Sequence, residues 1–141
     1  MKEPIMRFEN EEQLKEYGKA WQDVLYLNDW IIEYRLVDKL ESERDNFEVH
    51  GKNTKTLTHK EALIQISRYR TDDGFSIKVC DEQSLIHELL HCNFEVTMGE
   101  PAIEDLFYEE MQHQKLEFMA RSLLRAKYNL SKEWFKNWSD E

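Results

Sequence analysis

Apolar residues recur along this chain with two different periods, and the switches between them lay out its elements. Leu14, Tyr17, Trp21 and Leu25 stand at helical spacing behind Asn10, a suitable N-cap, with Glu11 and Glu12 in the first turn where a helix favours acidic groups. This predicts a helix over 10–26. Asn28 and Asp29 interrupt it, and from Trp30 to Val37 the period shortens to two, Trp30, Ile32, Tyr34 and Leu36 alternating against Glu33 and Arg35 as in a strand. Residues 38–60 are polar, with Gly51, Lys52 and Asn53 reading as a turn between two weaker strand segments, Phe47 to His50 and Thr54 to Thr58. Ala62, Ile64 and Ile66 then alternate with Leu63, Gln65 and Ser67, which predicts a strand as far as Tyr69. A turn at Asp72, Asp73 and Gly74 follows, then a short strand carrying Phe75, Ile77 and Val79.

From Asp81, read as an N-cap with Glu82 just inside, the period becomes helical and runs to about Val96. Gly99 and Pro101 mark a break, since glycine suits a helix C-terminus and proline the first turn of the next helix. Ala102 to Tyr128 is the strongest helical run, and Ser131 caps a last short helix carrying Trp134, Phe135 and Trp138 as a docking face. The expected fold is α+β, a small and mostly antiparallel sheet packed on two long helices, as one domain over 1–141.

Composition narrows the function. The 141 residues are 40% hydrophobic and 12% aromatic, enough for one core, and four Gly and two Pro leave no linker or repeat. Nineteen Lys and Arg against 29 Asp and Glu give a net charge of −10, which repels phosphate backbones and anionic headgroups. Nucleic acid and membrane are therefore not expected as partners. No run is apolar enough for a membrane span, and Lys2, Glu3, Arg7 and Glu9 do not fit a signal peptide, so the chain reads as cytoplasmic. Cys80 and Cys92 read as free thiols.

The chemistry enters with His87-Glu88-Leu89-Leu90-His91, an H-E-x-x-H match inside a predicted helix. Histidines at i and i+4 project from one helical face and can both reach one Zn²⁺, while the glutamate between them is placed as general base toward a metal-activated water. With Leu85 at zero, His87, His91, Glu95 and Glu88 fall at about 200°, 240°, 280° and 300°, a single polar stripe on an otherwise apolar helix. Five His and twenty Glu placed at random would give the pattern about twice in a hundred such chains. Two imidazoles on a buried face also need partners, which a metal supplies.

A catalytic zinc takes a third protein ligand. On the long helix, Leu106, Leu116, Met119, Ala120, Leu123 and Leu124 define an inward stripe that also carries Glu109 and His113, one turn apart, with Glu110 and Glu117 at its margin. At this point the chain resembles the small HExxH zinc metallopeptidases of phage and prophage type, gluzincin-like and similar in outline to the ImmA/IrrE family. The resemblance covers about residues 25–125. It rests on the Leu27-Asn28-Asp29-Trp30 lead-in to a strand, the Ala62 to Ile66 strand, the Leu85 to His91 run, and a following helix ending Met119-Ala120-Arg121-Ser122-Leu123-Leu124. It implies a zincin-like fold whose third ligand is a Glu seven residues before the alanine, a position that here holds His113. Either His113 is the ligand with Glu117 supporting it, or Glu109 is the ligand supported by His113. His113 is preferred, because it stands where the resemblance puts the ligand and imidazole is a common zinc donor. Metzincin spacing is excluded by Phe94 and Thr97.

The expectation is thus a zinc peptidase acting on a protein or peptide, with His87, His91 and His113 on the metal and Glu88 as base. The resemblance further implies that the Ala62 to Tyr69 strand is the sheet edge that pairs with substrate. Tyr69, Tyr108, His50 and His59 are oxyanion candidates, each read more simply as packing or surface. The competing reading is a metal-stabilised interaction module without catalysis, against which stands Glu88, since a structural site needs no base between its ligands.

Overall fold

A computed structural model describes residues 2–40, 50–68, 80–98 and 106–136, with the side chains of 95–98 and 106–109 outside the description. Its elements are α1 (Glu11–Val24), β1 (Ile31–Val37), β2 (Gly51–Thr56), β3 (Glu61–Ser67), α2 (Asp81–Met98), α3 (Leu106–Tyr128) and a short 3₁₀ turn (Lys132–Phe135). The expected strand and turn over 71–79, the Gly99 and Pro101 break, residues 41–49, Tyr69 and Trp138 lie outside the described residues.

Helix α1 begins where its cap signal lies. Asn10 Oδ1 accepts from Gln13 N at 2.8 Å, and Gln13 Oε1 accepts from Glu9 N at 2.8 Å, a reciprocal arrangement close to a capping box. It ends at Val24, two residues short of the expected 26, with Tyr26 in the left-handed region at φ 59° and Leu27 N donating to Gln22 O at 2.8 Å. Gly18 is where α1 meets β1, because a Cβ there would stand 2.4 Å from the ring of Tyr34.

The sheet is mixed, which corrects the mostly antiparallel expectation. Its order is β1-β3-β2, with β1 parallel to β3 (Ile31 opposite Glu61, Val37 opposite Ser67) and β2 antiparallel to it (Gly51 opposite Ile66, Thr56 opposite Glu61). A tight turn at 57–60 forces β2 to reverse into β3, whereas the long connection between β1 and β3 returns the chain to the same end. Gly51 to Asn53, expected as a turn, begins β2 instead. Strand β3 lies in the middle of the sheet and is not its edge, so the expected substrate-pairing edge is also corrected.

One face of the sheet is inward. Tyr34, Ala62, Ile64 and Ile66 are buried there, with Gly51 and Asn53 on the same side of β2 by register. Against this face packs α2, buried through Leu85, Ile86, Leu89, Leu90 and Cys92. Helix α3 closes the far side through Leu116, Ala120, Leu124 and Tyr128, while Met119, expected in that stripe, is 37% exposed and Gln112 is buried in its place. No described helix is long and apolar enough to cross a membrane.

Candidate metal centre

Both long helices turn histidine toward the same point. His87 and His91 lie one turn apart on α2, His113 comes from α3, and their ring nitrogens can all be chosen within 4.8 Å of one another. Ring centroids are 5.1 Å apart for His87 and His91, 5.7 Å for His87 and His113, and 5.1 Å for His91 and His113. Nitrogen donors around a tetrahedral metal stand about 3.3 Å apart at bonds of ~2.0–2.1 Å, so small rotations close the cluster on an ion. His91 is buried and His113 exposed, giving the centre a closed side and a solvent side. The three residues therefore fit a metal ion.

Glu88 is buried beside them. Burial pushes its carboxyl above the usual carboxylate range, while the neighbouring His87 and His91 pull it back. Strand β2 presses on it directly: a Cβ on Gly51 would lie 3.1 Å from both Cγ and Oε2 of Glu88. Asn53, two residues on, donates from Nδ2 to Glu88 O at 2.7 Å and to Cys92 Sγ at 3.3 Å, tying the strand to the motif helix.

Glu117 has a partner other than the expected one. Its Oε2 lies 2.8 Å from Nδ1 of His87, so it supports the first motif histidine and not His113. Gln83 Nε2 donates to its other oxygen, and Arg121 Nε stands 4.0 Å away on the next turn. Burial lowers the pKa of His87, but the carboxylate of Glu117 beside its Nδ1 and the charge of Glu88 outweigh it and the net shift is upward. Glu117 is correspondingly held low by His87, Gln83 and Arg121 against its own burial.

Of the other expected residues, Glu109 and Tyr108 belong to α3 but their side chains lie outside the described residues, as does Tyr69 altogether. His59 is exposed in the turn between β2 and β3, and His50 stands just before β2, where its carbonyl accepts from Ser67 N at 2.8 Å. Neither joins the cluster. Gly51 and Asn53, expected only as turn residues, and Gln83 were not anticipated at the site by the pattern along the chain. Gln83 alone left a signal, being a polar residue one turn before His87 beside the polar stripe of α2. Comparison with protein-family models, curated proteins and solved structures finds no match.

Proposed function

We propose that this chain is a zinc-dependent peptidase. The observation that supports it above all others is the convergence of His87, His91 and His113 from two helices beside the buried Glu88, in the spacing of a motif whose glutamate has a use only in catalysis. The three imidazoles would hold zinc, and the ion would supply Lewis acidity for activating a water and the substrate carbonyl. The residues do the rest. His87, His91 and His113 are neutral donors when they ligate, which keeps the positive charge of the centre undiminished. Glu88 is the general base and then the acid: burial raises its proton affinity, so it accepts a proton and can return it to the leaving amine. Asn53 and Gly51 hold Glu88 from the strand side.

Substrate approaches from the exposed side of His113. In the zincin-like arrangement that the resemblance implies, an extended peptide adds to an edge strand beside the metal; β2, the antiparallel strand that touches Glu88, takes that role in place of β3.

The test is metal analysis and peptide hydrolysis on protein purified without a metal-binding tag. Wild type carries about one equivalent of zinc and cleaves members of a mixed peptide library, while Glu88→Gln keeps the metal and loses cleavage. Wild-type protein with no stoichiometric metal, or Glu88→Gln with wild-type cleavage, overturns the reading.

A further inference from the structure

Two pairs of residues face each other across the α2 and α3 interface, each pair one helical turn apart. On α2 they are Gln83 and His87; on α3 they are His113 and Glu117. His113 meets the ring of His87 at a centroid distance of 5.7 Å, and Glu117 meets its Nδ1 at 2.8 Å. Helix α3 therefore addresses one imidazole at two places. We propose that Glu117 is a positioning residue of the metal centre, which holds the Nδ1 proton of His87 so that the ring offers its Nε2 lone pair to the metal, with Gln83 holding Glu117 in turn. The proposal rests on the metal-centre reading above and adds a residue that contacts neither metal nor substrate.

The chemistry of imidazole makes the contact consequential. A neutral ring has one N–H and one lone pair, and a carboxylate at Nδ1 selects the tautomer with the proton there, leaving Nε2 as donor. The same contact fixes the ring plane, which a single χ rotation would otherwise sweep away from His91 and His113. An ordinary surface ion pair does not explain the arrangement. The Glu117 and Arg121 pair, at 4.0 Å, is a loose i, i+4 contact, whereas the carboxylate turns one oxygen to His87 and the other to Gln83, both on the opposite helix. Because Gln83 and His87 share one face of α2, Glu117 spans them as a bridge and cannot rotate away from one without losing the other.

The test compares Glu117→Gln, Glu117→Ala and His87→Ala with wild type. Zinc affinity is read by competition with a chromophoric chelator, and the coordination geometry by the visible spectrum of the cobalt-loaded forms. His87→Ala loses stoichiometric metal. Glu117→Ala keeps stoichiometry with affinity about 10 to 100-fold weaker, and Glu117→Gln, which retains an acceptor oxygen, falls between it and wild type. In metal-free protein at mildly alkaline pH, ¹⁵N NMR of the imidazoles finds His87 as the Nδ1–H tautomer in wild type and as a mixture in Glu117→Ala. A purely structural Glu117 would change the melting midpoint but neither affinity nor tautomer. Glu117→Ala with wild-type zinc affinity and an unchanged His87 tautomer overturns the proposal. Wild type that binds no zinc overturns the metal centre itself, and the tautomer measurement still decides separately whether Glu117 sets the His87 ring.

Discussion

At the residue scale, the groups around Glu88 leave it little freedom, and Gly51 is the one among them that brings no polar side chain of its own. Its missing side chain is what lets the strand backbone lie against the carboxylate. Gly51→Ala should displace Glu88, destabilise the protein by about 1–3 kcal/mol, and reduce peptide cleavage much more than zinc affinity, which kinetics and chelator competition on one preparation will show. The buried tyrosines set a second expectation. Burial, foremost, drives Tyr34 upward, and burial followed by the hydrogen bond to Glu82 drives Tyr128 upward, both well beyond the ordinary tyrosine range. The unfolded chain releases these protons near pH ~10 while the folded chain keeps them, so the stability they contribute is complete below about pH 10 and is lost as pH rises above it. Tyr34→Phe strands the Gln22 acceptor that its hydroxyl reaches at 2.5 Å, at a cost of about 1–3 kcal/mol near neutrality. That deficit should narrow in urea melts carried to about pH 11; a constant deficit across the range would contradict it.

At the element scale, the start of α2 depends on a segment far away in the chain. The expected N-cap Asp81 points instead to Phe8 N at 2.8 Å, and the first helical N–H groups, of Asp81 and Glu82, are met by the carbonyls of Met6 and Ile5. Glu82, fully buried, gathers Ile5 N at 3.0 Å, Trp21 Nε1 at 2.9 Å, Lys127 Nζ at 2.9 Å and Tyr128 OH at 2.7 Å, joining the N-terminal segment, α1, α2 and α3 at one carboxylate. Glu82→Ala leaves two buried donors, Trp21 Nε1 and Tyr128 OH, and the part-buried Ile5 N without an acceptor, while the part-exposed Lys127 can turn to water, so a loss on the order of 3–5 kcal/mol is expected in denaturant melts. Glu82→Gln should lose about half as much. Sequence pattern anticipated α1, β1, β3 and the motif helix because cap residues and apolar periods act over a few residues. Its limits appear at Tyr26, which ends α1 in a conformation that favours glycine or asparagine. They appear again at β2, whose Gly51 to Asn53 start has turn composition but is recruited into the sheet by pairing with β3 and by the Asn53 contacts to α2.

At the scale of the whole molecule, the three histidines join α2 to α3, two helices otherwise held by the core and by the Gln83, His87 and Glu117 contacts. A metal bound only by the native state adds its binding free energy to folding, about 4 kcal/mol at a thousandfold excess over Kd. A chelator should therefore lower the thermal midpoint of wild type and leave that of His113→Ala unmoved. Equal melting of wild type with and without chelator would show that no metal ties the helices together.

What the chain determined by itself is the local part: helices and strands with their periods, the i, i+4 histidine pair with its glutamate, and His113 on the next helix as the third histidine, although it stands exposed and not on the inward stripe expected for it. The tertiary structure decided the direction of β1 against β3, the central place of β3, the choice of β2 as the strand against Glu88, and the pairing of Glu117 with His87. The physical reason is range. Periodicity and capping are written in neighbours four residues apart, whereas strand order and the partner of a ring nitrogen arise from groups tens of residues apart that meet only when the core closes.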